Sequence, residues 1–102
     1  MFTVKFFDND TGNPPGKLAD AELHFDETAA SLCGLKLVGF EIWERKTGGR
    51  NVTFPARQYS ANGERGSFAL LRPTTDSASQ DIIRDVILHA YAEHEAERAL
   101  TV

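Results

Sequence analysis

Apolar and polar positions alternate with a period of two over most of the first seventy residues, and the period then lengthens. Phe2, Val4 and Phe6 alternate with Thr3, Lys5 and Phe7, which predicts a strand with apolar character on both faces. The turn-forming run DNDTGNPPG, Asp8 to Gly16, ends it. Alternation resumes from Leu18 to Asp26, where Leu18, Asp20, Glu22, His24 and Asp26 oppose Ala19, Ala21, Leu23 and Phe25, a strand with one wet face. The two segments are expected to pair as a hairpin. A connection from Glu27 to Gly34, with room for a helical turn, leads to a third strand, Leu35 to Glu44. It sets Leu35, Leu37, Gly39, Glu41 and Trp43 against Lys36, Val38, Phe40, Ile42 and Glu44, and is expected to be mostly buried.

Glycine and proline set the next boundaries. Lys46-Thr47-Gly48-Gly49 supplies the positive φ angles of a tight turn, and Asn51 to Phe54 is extended until Pro55 interrupts it. Ala61-Asn62-Gly63-Glu64 is a stronger hairpin signal, since Asn-Gly tolerates two successive positive φ angles. Ser67 to Arg72 is the returning strand and Pro73 stops it. Beyond it Ile82, Ile83, Val86, Ile87, Ala90 and Tyr91 recur at three and four residues, an amphipathic helix with Ser77 and Gln80 placed as a capping pair. The polar stretch AEHEAERA, residues 92–99, is expected to fray or project as a polar C-terminal tail. The order predicts an α+β fold in one domain, residues 1–102: a twisted antiparallel sheet of about five strands with a C-terminal helix on one face.

Charge changes the picture more than composition does. At 41% hydrophobic, 10% aromatic and 25% charged residues the chain is an ordinary globular sequence, with a net charge of −4. Between Lys36 and Pro73, however, seven basic residues face three acidic ones, a local +4, while residues 1–35 and 74–102 each carry two basic and six acidic residues. A positive stripe on a negative background is a field that can hold an anionic partner. Arg45, Lys46, Arg50, Arg57, Arg65 and Arg72 are therefore the candidate nucleic-acid contacts, because guanidinium forks match phosphate oxygens. Trp43, Phe54, Tyr59 and Phe68 are interleaved with them as a base-stacking sheet would require, although such aromatics more often fill a core or an interface. Solvated, charged hairpin turns are the competing account of the arginines.

Other chemistry is thin. Cys33 is the single cysteine, which excludes an internal disulfide and a thiolate zinc cluster. His89 and His94 lie five apart on the predicted helix and do not share a metal-binding face. Asp20, Glu22 and Asp26 are spread along a wet strand face, which suits solvation better than a cation. No nucleophile, base and oxyanion donor assemble, so catalysis, cofactors, metals and a small-molecule substrate are not expected. The start MFTVKFFDND lacks a signal-peptide pattern and no long apolar run follows, so a cytoplasmic location without membrane contact is expected.

Val52-Thr53-Phe54-Pro55-Ala56-Arg57-Gln58-Tyr59 resembles the strand ending in Pro-Ser-Arg-Lys of the SpoVG family of septation and sporulation regulators. Asn62-Gly63-Glu64-Arg65 resembles that family's Asp-Gly-Glu-Phe-Arg turn, and Arg72-Pro73 its strand exit. SQDIIRDVILHAY, Ser79 to Tyr91, is similar to its final helix, and Leu18 to Phe25 to its second strand. Gln58 stands where the family has Lys. The resemblance implies a small bacterial homodimer with a twisted antiparallel sheet that acts as a regulator by binding DNA or RNA, with Arg57 and Arg65 as the positions carried over. The competing class is a protein-interaction or structural module that binds no nucleic acid.

Overall fold

The structure, a computed structural model, describes residues 1–100. In chain order it comprises β1 (Phe2–Asp8), β2 (Lys17–Phe25), a 3-10 turn (Glu27–Leu32), β3 (Lys36–Glu44), β4 (Arg50–Thr53), β5 (Ala56–Ala61), β6 (Glu64–Ala69) and α1 (Ala78–Leu100). The fold is α+β, with antiparallel strands and a C-terminal helix, but the strands form two sheets instead of one of about five. The larger has the order β1-β2-β3-β4, and β5 and β6 pair only with each other. Pro55 explains the division: it has no N–H to give to a ladder, so the extended segment breaks after β4. The β5–β6 ribbon leaves the body as an arm, its base tied by the Leu70 N–H to Pro55 O bond of 2.8 Å. With the arm extended the radius of gyration is 15.3 Å, against about 13 Å for a compact chain of this length.

The core lies between the inner face of the large sheet and α1. Register sets Phe6 beside Ala21 and Ala21 beside Phe40, and Ala19 beside Ile42, which in turn faces Val52. The two alanines leave a trough between larger neighbours, and α1 fills the core with Ile87 and Tyr91, both buried. Tyr91 meets Phe6 edge-on at 5.2 Å between centroids. Each fully buried large apolar side chain of this kind contributes about 1.5–3 kcal/mol, and burial pushes the Tyr91 phenol pKa up.

Strand β3 departs from simple alternation. Ala21 pairs with Phe40 but Leu23 pairs with Leu37, so an extra residue is accommodated at Val38–Gly39. The bulge brings Leu37 onto the face of Phe40 and Ile42, opposite to the face that alternation predicts, and leaves Leu35 and Val38 exposed. Burial, expected for most of the strand, is thus confined to Phe40 and Ile42. Gly39 is required here twice over: its φ is +107°, and a Cβ would come within 2.8 Å of Pro55 Cβ.

Two expectations about α1 are also revised. Asp76, not Ser77, caps it, accepting the Ala78 N–H at Oδ1 (2.9 Å), while Gln80 turns its Nε2 to Leu71 O at 3.0 Å. The polar stretch neither frays nor projects within the described residues. It continues the helix to Leu100 and docks by charge, with Glu95 on Arg50 and both His94 and Arg98 on Asp8, each at 3.1 Å. His94 also lies beside the Phe6 ring, at 5.1 Å. Only residues 101 and 102 of the predicted tail fall outside the described chain.

The outer face of the sheet is wet and cross-linked. Lys17 bridges Asp20 and Glu41, which hold its pKa above the usual value, and Glu22 accepts from both His24 and Lys36. The His24 hydrogen bond, aided by Lys36, holds the Glu22 carboxyl below its usual range. The Thr28 hydroxyl and N–H do the same for Asp26, which caps the 3-10 turn.

Gly39→Ala should lower stability by about 2–3 kcal/mol and Gly48→Ala, where φ is positive but the space is open, by about 1 kcal/mol; urea unfolding midpoints check the order. Both depressed carboxyls have folded pKa values below their unfolded ones, so their contribution is complete above the unfolded pKa and is lost as pH falls through the folded one. The urea midpoint should accordingly drop between about pH 5 and about pH 3, and Glu22→Gln should flatten part of that drop.

Candidate nucleic-acid interface

Folding divides the basic stripe into three places. Arg45 and Lys46 stand in the turn between β3 and β4, where the Arg45 N–H donates to Gly49 O at 3.2 Å and its carbonyl accepts from Gly48 N at 3.0 Å. Arg57 and Arg65 are on the arm, and Arg72 is in the connector between β6 and α1. Arg50, at the start of β4, is already engaged: its guanidinium holds Glu95 of α1 at 3.1 Å and Glu44 at 3.8 Å, and Glu95 raises its pKa. Among the described residues Arg45, Lys46, Arg57, Arg65 and Arg72 make no ion pair. Neither Glu64 nor the acidic helix neutralises Arg57 or Arg65.

The arm has two distinct faces. Cross-strand partners are Arg57 with Phe68, Tyr59 with Gly66, Gln58 with Ser67 and Ser60 with Arg65. Since partners share a face, Arg57, Tyr59 and Phe68 lie on one side, and Gln58, Ser60, Arg65 and Ser67 on the other. Tyr59 and Phe68 form a ring pair at 6.0 Å and 38°, and are 51% and 40% exposed. The ring of Tyr59 lies across Gly66, where a Cβ would meet Tyr59 Cζ and Oη at 2.6 Å, so glycine is what allows the aromatic to lie flat on the ribbon. The turn is the expected one, with Asn62 at φ 52° and Gly63 at φ 80°.

Of the four interleaved aromatics, then, two form an exposed platform. Phe54 instead packs edge-on against Phe40 at 5.2 Å, with the Arg84 guanidinium 5.2 Å from its centroid. Trp43 is half-buried on the outer sheet face and donates its indole N–H to Thr53 Oγ1 at 3.3 Å. At the root of the arm Val38, Trp43, Pro55 and Leu70 border an open crevice, and Val38 and Leu70 are 48% and 57% exposed.

The acidic background is less free than its formal charge suggests, since Asp8, Asp20, Glu22 and Glu95 each face a cation. The remaining candidates have local partners or none that matter for chemistry. His89 pairs with Glu93 at 3.4 Å, Cys33 is an exposed free thiol, and no group of three potential ligands gathers among the described residues. No helix among those residues is long and apolar enough to cross a membrane. Sequence reasoning missed the Arg50–Glu95 strap and the detachment of the arm; Pro55 was the available signal for the second. No protein-family model, curated protein or solved structure matches the chain.

Proposed function

We propose that the protein is a small bacterial, cytoplasmic, SpoVG-like regulator that binds nucleic acid through the β5–β6 arm as a homodimer. One observation carries this reading: an arm clear of the acidic body presents the unpaired guanidinium of Arg57 beside the exposed Tyr59–Phe68 pair, with that of Arg65, also unpaired, on its other face. An aromatic pair accepts unstacked bases, at about 1–3 kcal/mol each, while the guanidinium groups hold phosphates. Single-stranded DNA or RNA suits this surface better than duplex, because rings lying on a ribbon can stack only on bases that are splayed out. Arg45 and Lys46 extend the positive surface from the β3–β4 turn, and Arg50 serves α1 instead. The dimer rests on exposed Val38 and Leu70 beside the crevice, an apolar surface that a second copy can cover.

A second reading has its own support. A lone two-stranded ribbon is marginally stable in water, so the aromatic face can equally serve as the contact with another protein chain, the arginines then acting only as solubilising charge.

Titrating labelled single-stranded and duplex oligonucleotides at two salt concentrations separates the readings. Arg57→Ala/Arg65→Ala should weaken binding to unrelated sequences alike and reduce the slope of log K against log salt by about 1.4 for single strands, two phosphates at about 0.7 each. Absence of binding by the unmutated protein at low salt would leave the protein-contact reading. Light scattering coupled to size exclusion should show a dimer at micromolar concentration, and Leu70→Glu should shift it to monomer without lowering the unfolding free energy of the protomer by more than about 0.5 kcal/mol.

A further inference from the structure

The N-terminal end of α1 and the sheet do not close completely on each other. A cavity of about 270 Å³ remains there, lined by Phe2, Phe25, Leu37, Leu71 and Ile83, with Arg72 also on its wall. Protein interiors seldom leave apolar voids larger than a water molecule. A dry apolar cavity of about 150 Å³ is enough to hold benzene, and drug-sized ligands take about 300–1,000 Å³. The space here fits a molecule between those two sizes.

The wall is almost wholly apolar, and among the described residues Arg72 is the one cationic side chain on it. Arg72 is exposed and has no ion pair among the described residues. The connector that carries it is fixed by the Gln80 Nε2 bond to Leu71 O, which keeps Arg72 at the rim of an almost wholly apolar chamber. One Arg fork matches one carboxylate. A phosphate dianion fits less well, because Asp76 and Asp81 sit in or beside the first turn of α1, and the Ala78 N–H that could help bind an anion is already held by Asp76.

We propose that this cavity binds a small apolar monocarboxylate, a medium-chain fatty acid or compact aryl acid, with the tail among Phe2, Phe25, Leu37 and Ile83 and the carboxylate on Arg72. The site is separate from the arm and does not depend on nucleic-acid binding. Its position couples it to the connector between β6 and α1, the segment from which the arm returns to the body.

Calorimetric titration of the full chain with octanoate and with octan-1-ol, which share a tail and differ in charge, tests the proposal. Octanoate should bind with a Kd below about 1 mM and at least about tenfold more tightly than the alcohol. Arg72→Gln should abolish that difference while leaving alcohol binding within about twofold, and Ile83→Trp, which fills the chamber, should weaken both ligands. Circular dichroism confirms that each variant is folded, and Arg72→Gln, at an exposed position, keeps the test valid if Ile83→Trp does not fold. Equal binding of acid and alcohol, an unchanged preference in Arg72→Gln, or no binding of either ligand overturns the proposal. Loss of self-association in Ile83→Trp, with no octanoate binding by the unmutated protein, would assign the cavity to a second copy and overturn it as well.

Discussion

The small side chains on the inner face of β2 govern how the rest of the molecule packs. Ala19 and Ala21 lie in the second strand of the sheet between Phe6 on one side and Phe40 and Ile42 on the other, and both are inaccessible to solvent. Two larger residues there would overfill a core built from few buried side chains, and overpacking costs about 1–3 kcal/mol per site. Because they are small, α1 can bring Tyr91 down onto Phe6 and Ile87 into the centre. Docking of the helix then sets where its polar second half falls, which is what brings Glu95 to Arg50 and His94 and Arg98 to Asp8. The apolar and electrostatic contacts of α1 are thus successive consequences of one trough.

Charge in this protein does two different jobs, and the fold sorts the residues between them. Arg50, Lys17 and Lys36 are matched to carboxylates on the body and hold elements together. Arg57, Arg65 and Arg72 are left unmatched, on the arm and its connector. A count along the chain treats all of them as one stripe, whereas the distribution in space gives a body that consumes most of its own charge and an appendage that does not.

How much of this was legible in the sequence depends on the range over which each signal acts. The β1–β2 hairpin, the Asn62-Gly63 turn, the 3-10 turn and the apolar stripe of α1 are set by residues close in sequence and were readable. The bulge at Gly39 was not, because alternation can be counted straight through it, and the positive φ and the approach of Pro55 that require the glycine arise only on folding. The helical course of residues 92–99 was hidden for the same reason: its partners Asp8 and Arg50 lie 86 and 45 residues away. At the candidate interface, residue types in the pattern named the arginines, but only folding could separate Arg50 from Arg57 or set Phe54 apart from Tyr59. The cavity beside Arg72 left no trace in the sequence at all, since a void is a property of how elements fail to meet.

The arm's slender attachment has a kinetic consequence. Between Pro55 and Leu70 the ribbon is joined to the body by two chain crossings and a backbone hydrogen bond, and its length contributes to a longest dimension of 51 Å. If that joint bends, the finger would sweep a volume larger than a rigid surface patch does, which would enlarge the target a diffusing partner must strike and relax the orientation it must have on arrival. Once engaged, the same joint must be immobilised, so part of the contact energy is spent on ordering. Fast capture and fast release would be the regime of an appendage attached in this way.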